Sequence, residues 1–325
     1  MTWLTLRQQR AEVAVATLLL ALLGAALILS GRDMFAVYQQ AQHGTSVVAC
    51  ALSQSQDPTC DALTADFRRQ FGDLSVLLLT LTVLPGLACM FFGAPLVARE
   101  IERGTHRIAW TQTVTRRRWI AIKIGALVIA TALLLTAFSL LLTWWRGPLD
   151  EVSGSRFSYG FDLEGVAPVA HALFALALGF AAGALVRKTL PAMAITLGGF
   201  FAVRGVIEFV ARPNYLPPVA RITDPGQGNP HPYNGDWVFN GGFTYLDSHG
   251  HPISSADAVN MCTGLAKGAS GDFNTCLSLH GVRLLNLYQP ADRFWLFQGI
   301  ESAIFLLLAA ALIALTIWIV RRRIA

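Results

Sequence analysis

The sequence predicts an all-α polytopic membrane protein: six transmembrane helices beneath a small disulfide-stapled extracytoplasmic cap. Three observations carry that prediction. Six apolar runs of at least 17 residues divide the chain: Val13–Leu29, Leu74–Ala98, Ile120–Trp144, Val166–Val186, Leu190–Val210 and Phe294–Val320. A stretch of about 20 residues at roughly 1.5 Å rise crosses a ~30 Å hydrocarbon core. The connections between the runs alternate in charge, and four of the five cysteines fall in the two long connections on one side. At 54% hydrophobic and 14% charged, the chain lies far from the soluble average of about 25% charged. It reads as a single transmembrane domain over residues 1–325, with residues 30–73 and 211–293 as the cap and residues 99–119 as a cytoplasmic loop.

The chain opens with Met1–Arg10, where Trp3, Leu4 and Leu6 beside Arg7 and Arg10 suit a short amphipathic helix along the membrane surface. Basic residues before an apolar run also begin a signal peptide, but no small-x-small cleavage site follows and the run is long, so it reads as an uncleaved first span. In the second run Pro85 and Pro95 predict kinks, because proline lacks a backbone donor and clashes with the preceding turn. The fourth run carries Gly179-x-x-x-Gly183, a small-residue face for close packing, within one subunit or between two. The last outer loop, roughly 80 residues, is too long to be structureless in a compact protein. After a proline-rich start, its Trp237–Tyr245 segment reads as a β-hairpin turning at Asn240-Gly241.

Charge sets the topology. Short connections hold Arg7 and Arg10, then Arg99, Arg103, Arg107, Arg116, Arg117, Arg118 and Lys123, then Arg187 and Lys188, then Arg321, Arg322 and Arg323. The opposite connections are longer and mixed in sign. The positive-inside rule places both termini in the cytoplasm. The net charge of +5 is mostly this signal; no basic face on a soluble domain appears, which argues against a nucleic-acid partner. On the oxidising side, Cys50, Cys60, Cys262 and Cys276 allow three connectivities, of which the local pairs Cys50–Cys60 and Cys262–Cys276 are the simplest. Neither pair has the close spacing of a zinc knuckle, and His231, His249, His251 and His280 are scattered.

Ionisable residues inside spans are costly and are either paired or functional. Arg204 and Glu208 stand four apart on one helical face, and Glu301 lies in the sixth run. Arg204 and Glu301 each lie seven residues from the outer boundary, a depth of about 10 Å. The expectation is an Arg204–Glu301 bridge with Glu208 nearer the surface, serving as a lock between two helices or as a polar gate. His171 reads as a hydrogen-bonded packing residue.

The loop after the second run is the most informative segment. Gly104 breaks the descending helix, and Thr105 can cap a short amphipathic helix reaching about Gln112, with Ile108 and Trp110 beside charges. Its Arg99-Glu100, Gly104-Thr105, Val114-Thr115-Arg116 and Lys123 resemble the inner loop of type-2 ABC transporter permeases, where an Arg-Glu-x-Gly-Thr block precedes a Pro-Val-Ser-Arg block and a lysine. Thr113 stands where the family often has proline. The layout is most similar to members with large outer loops from high-GC Gram-positive bacteria. The resemblance implies a bacterial plasma-membrane subunit that pairs with a second permease copy or a related permease. It also implies a cytoplasmic ABC ATPase that binds ATP and Mg, docked on a coupling helix formed by Arg99, Glu100, Glu102, Gly104, Thr105, His106, Arg107, Ile108, Trp110, Thr115 and Arg116. The cargo it implies is an amphipathic or hydrophobic molecule moved outward.

The chain's own nearest match to a phosphate-binding loop, Gly183–Thr189, has Arg187 where glycine is needed and is one residue short. ATP therefore falls to another polypeptide, and no cofactor is expected on this chain. Two rivals remain: a membrane sensor or immunity protein binding ligand through the cap, and a lipid-acting membrane enzyme. The second lacks Gly-x-Ser-x-Gly, His-Glu-x-x-His or paired membrane aspartates.

Overall fold

The computed structural model describes residues 10–42, 45–53, 58–81, 84–102, 116–153, 156–157, 160–225, 236–262 and 273–322. Among these residues, ten α-helices and six strands occur in chain order: α1 (Arg10–Gln39), β1 (Ala41–Gln42), β2 (Thr45–Ser46), α2 (Val47–Ser53), α3 (Pro58–Leu81), α4 (Leu84–Glu102), α5 (Arg116–Ser153), α6 (Ala167–Val186), α7 (Thr189–Val206), β3 (Val219–Thr223), β4 (Trp237–Leu246), β5 (Pro252–Ile253), α8 (Ser255–Cys262), α9 (Phe273–Leu279), β6 (Arg283–Gln289) and α10 (Phe294–Arg322). Five helical segments among the described residues are long and apolar enough to cross a membrane: Thr17–Gln39, Ile120–Val152, Ala167–Val186, Thr189–Asn214 and Ala291–Arg322. The predicted second span, Leu74–Ala98, is not one described helix; it is shared between α3 and α4, on either side of residues 82–83. Pro85 falls in the first turn of α4, where a missing N–H costs little, and Pro95 lies inside it.

α6 is the hub. Of its apolar window 72% is buried, against 11–28% for the other four. Its composition explains this, since alanines and glycines let neighbours approach to backbone contact. A Cβ on Gly179 would lie 2.8 Å from the Ala94 nitrogen, and one on Gly183 would lie 2.7 Å from the Ala94 oxygen. Across the seam, a Cβ on Gly93 would meet the Leu176 oxygen at 2.9 Å. The small-residue face is therefore spent within the chain, against α4. Phe174, Phe200 and Phe305 fill the space between α6, α7 and α10. α6 ends where Arg187 takes φ 60°, and its N–H donates to the Gly183 carbonyl.

α5 is 38 residues long, about 57 Å at 1.5 Å per residue, so it outruns a ~30 Å core. Its far end packs with α1, α2 and α3 around Met34, Phe67, Trp145 and Leu149. The disulfide Cys50–Cys60 joins α2 to α3. The expected 30–73 connection is thus largely helical: α1 runs ten residues past Leu29.

The cap contains an antiparallel sheet of order β3-β6-β4-β5. The expected hairpin at Asn240-Gly241 is not formed. Trp237–Leu246 is one strand with a register break between Val238 and Phe243, so the glycines sit at a bulge, where a strand tolerates them. The turn comes later, between β4 and β5. The disulfide Cys262–Cys276 ties α8 to α9, which pack on Tyr245, Ile253 and Val282. Both expected disulfide pairs are present. An aromatic collar of Phe157, Phe161, Trp237, Phe294 and Phe297 joins the sheet to the helix ends.

Candidate functional site

At the cap end, α7 passes into a π-helical turn, Ile207–Ala211, and then a 3-10 turn, Arg212–Asn214. The extra residue per turn of a π segment re-aims the chain beyond it, and such turns gather at functional sites. Here it delivers Arg212 into the protein interior, 5% exposed. Arg212 grips Glu301 of α10 with two hydrogen bonds, Nε to Oε2 and Nη2 to Oε1, each 2.7 Å. Its Nη2 also donates to Asp162 Oδ1 at 2.7 Å. The guanidinium lies over Phe161, 4.1 Å from the ring centre. Arg204 reaches the other Asp162 oxygen at 3.1 Å and Glu208 at 3.7 Å. His171 of α6 completes the cluster, with Nε2 2.9 Å from Glu301 Oε1. A carboxylate only accepts, so Nε2 carries the proton of that bond.

The buried charges balance: Arg204 and Arg212 against Asp162 and Glu301, with Glu208 at the rim. Burial alone would raise the Asp162 carboxyl, but the Arg212 and Arg204 guanidiniums outweigh it and hold it down to about 2. Asp162, His171 and Glu301 bring three donor atoms within 4.8 Å of one another, a spacing that suits a metal. Arg212 already takes the carboxylate lone pairs such an ion needs, so this set does not fit one.

The turn over residues 160–166 carries a second ionic cluster on its other side. Glu164, fully buried, accepts from Arg146 Nε at 2.8 Å and Arg156 Nη2 at 3.1 Å, while Arg146 Nη2 donates to Asp150 at 2.6 Å. Gly160 is required beside it, because a Cβ there would meet Glu164 Oε1 at 2.5 Å. Gln298 of α10 then caps α6. Its Oε1 accepts from the Val166 and Ala167 amides at 3.1 and 2.8 Å, and its Nε2 donates to the Phe161 carbonyl at 2.6 Å. One turn thus fastens α5, α6, α7 and α10 together.

At the opposite end, α4 closes with Arg99, Glu100 and Glu102, and each glutamate engages a different helix. Glu100 pairs with Lys123 of α5. Glu102 Oε2 accepts from the Thr189 amide at 3.0 Å and its hydroxyl at 2.7 Å, capping α7. Gly104, Thr105, His106, Arg107, Ile108, Trp110 and Thr115 lie outside the described residues; Arg116 begins α5.

The expected Arg204–Glu301 bridge is therefore corrected. Arg204 does not meet Glu301; Asp162 stands between the two, and Arg212 is the partner of Glu301. Equal depth in sequence could not foresee the π turn. A signal was nonetheless present, since Arg204, Glu208 and Arg212 recur at four-residue intervals. His171 is hydrogen-bonded, as expected, but to a charge rather than within simple packing. Asp162 and Glu164 gave no sequence signal beyond lying in a mixed-charge loop.

These features define a multi-pass helical membrane protein whose helix ends are tied together by buried ion pairs and joined to a folded cap by an aromatic collar. Residues 17–212, well over half of the chain, match the family described as ABC-2 membrane transporter related, and the protein belongs to that family. No curated protein and no solved structure gives a match.

Proposed function

We propose that the chain is the transmembrane subunit of an ATP-driven ABC exporter in a bacterial plasma membrane. On this reading it has six spans, with α4 completing the second, and both termini are cytoplasmic. A separate ATPase subunit binds ATP and Mg, and a second permease copy or a related permease completes the path. The cargo is an amphipathic or hydrophobic molecule moved outward. The observation that carries the reading is the family match over residues 17–212, which spans both flanks of the 103–115 loop.

The geometry supports a mechanical role. A force on the 103–115 loop enters through α4 and α5, which Glu100 and Lys123 hold together. α4 cannot slide freely past α6, because Gly93, Gly179 and Gly183 interlock their backbones. α6 passes the motion to α10 through His171–Glu301 and Gln298. Displacement at the loop end thus reaches the ionic junction at the cap end, about 30 Å away by the length of the 20-residue α6. The test is co-purification with an ABC ATPase from the same genome, co-expressed with this chain. The wild type retains it, and the pair Ile108→Asp and Trp110→Asp loses it while keeping a normal gel-filtration profile. Full retention by that variant removes the docking assignment.

A further inference from the structure

The turn joining β4 to β5 holds an Asp-Ser-His-Gly-His run that the transport reading does not use. Asp247 organises it. Its Oδ1 accepts the His249 and His251 amides, each at 2.8 Å. Its backbone N–H donates to the His251 carbonyl at 2.9 Å, and its carbonyl accepts from Gly250 at 3.0 Å. Gly250 sits at φ 85°, which a side chain would resist. These bonds consume Oδ1 and leave Oδ2 facing both imidazoles. His251 Nδ1 lies 3.5 Å from Oδ2 and His249 Nδ1 4.0 Å. Ser248 Oγ stands 3.3 Å from the same His249 nitrogen.

Those two spacings are the informative ones. They exceed the 2.7–3.2 Å or so of a nitrogen–oxygen hydrogen bond. They approach the separation of two ligands on one ion, about 3.3 Å when each stands roughly 2.0–2.1 Å from a tetrahedral centre. The two imidazoles, with side chains 79% exposed, stand stacked with ring centres 6.4 Å apart, so both must rotate about their side-chain bonds to turn a nitrogen each onto one ion beside Oδ2. The His251 amide bond, aided by that of His249, lowers the Asp247 pKa, so the oxygen donor is anionic at neutral pH. We infer that Asp247, His249 and His251 form a binding site for a borderline divalent transition cation such as Zn²⁺ on the surface of the cap, with one or more positions open to water or to a second molecule. Two nitrogens and one carboxylate oxygen are the wrong set for Ca²⁺ or Mg²⁺, which demand six or more oxygens. The neighbouring Cys262, Cys276 and His280 group cannot compete, because its sulfurs are joined in a disulfide.

The test is isothermal titration of the full chain, carrying no histidine tag, in detergent with Zn²⁺ and separately with Mg²⁺. The wild type takes up one more equivalent of Zn²⁺ than the His249→Ala/His251→Ala variant, and neither takes up Mg²⁺ saturably. Asp247→Asn keeps the turn's acceptor but loses the anionic ligand, so its affinity falls at least about tenfold. Equal Zn²⁺ stoichiometry in wild type and double variant overturns the site. So does an unchanged affinity in Asp247→Asn, or saturable Mg²⁺ uptake at the turn.

Discussion

Replacing Arg212 with glutamine removes the cation that holds Glu301 and Asp162 in the interior. The two carboxylates do not fare alike. Asp162 keeps Arg204 at 3.1 Å, so its charge stays paired. Glu301, with no exposed surface, keeps only His171 at 2.9 Å and the Tyr215 hydroxyl at 3.4 Å. It loses two charge-assisted hydrogen bonds of 2.7 Å. Breaking a buried ion pair from one side costs about 3–5 kcal/mol, because the surviving charge is left desolvated. His171 offsets part of this, which places the expected loss near 3 kcal/mol, on the order of a 10 °C fall in apparent melting temperature. Removing both partners, as Arg212→Leu/Glu301→Leu, leaves no stranded charge and recovers at least half of that loss. The assay is thermal unfolding in detergent, followed by intrinsic tryptophan fluorescence and gel filtration. A single variant as stable as wild type, or a double variant no better than Arg212→Gln, refutes the claim that Glu301 depends on Arg212. Arg204→Gln serves as the comparison and costs less, because Arg212 still pairs Asp162.

Three further outcomes rest on the same geometry. Gly179→Val drives a side chain into the Ala94 and Gly93 backbone and costs at least the 1–3 kcal/mol or so of core overpacking; Gly198→Ala, with open space around its Cβ, leaves folded yield unchanged, both read by gel filtration. Asp162 has a folded-state pKa of about 2, below its ordinary value of about 3.9. Its stabilising contribution, about 2–3 kcal/mol, is therefore present above pH ~4 and lost as pH falls towards 2. Melting curves of wild type and Asp162→Asn should differ at pH 7 and 5 and converge near pH 2; a gap that persists at pH 2 counts against that assignment. Opening the Cys262–Cys276 bridge, which spans 14 residues, removes about 3 kcal/mol of loop constraint. Cys262→Ser/Cys276→Ser should show faster tryptic cleavage in the cap with unchanged cleavage elsewhere.

Much of the helical architecture was legible because apolar length reports directly on helix length. Three runs, Val166–Val186, Leu190–Val210 and Phe294–Val320, matched observed helical segments to within two residues at each end, and both disulfides followed from local spacing. The failures have physical causes. α1 and α5 continue past the apolar runs because helix propagation does not stop at the hydrocarbon edge; Tyr38 and Glu151 meet there by a hydrogen bond. The Asn240-Gly241 pair resembled a hairpin turn, but pairing of β4 along β6 absorbs it as a bulge. Arg212 was missed because a regular 3.6-residue period assigns it to a loop, whereas the π turn carries it inward. Asp162 and Glu164 find opposite partners across one tight turn, a choice made by tertiary structure alone. The small-residue face was recognised, but only the close approach of α4 shows where it is spent.

We propose that residues 103–115, between α4 and α5, are the point at which an ATPase drives this protein from the cytoplasm. The most direct measurement is disulfide cross-linking of a Trp110→Cys chain in inside-out vesicles containing the ATPase, with a cysteine placed in the surface of the ATPase that faces the membrane. A cross-linked permease–ATPase band whose yield changes with ATP is the predicted result. Labelling of the introduced thiol by a membrane-impermeant reagent on intact cells would place residue 110 outside and contradict the account.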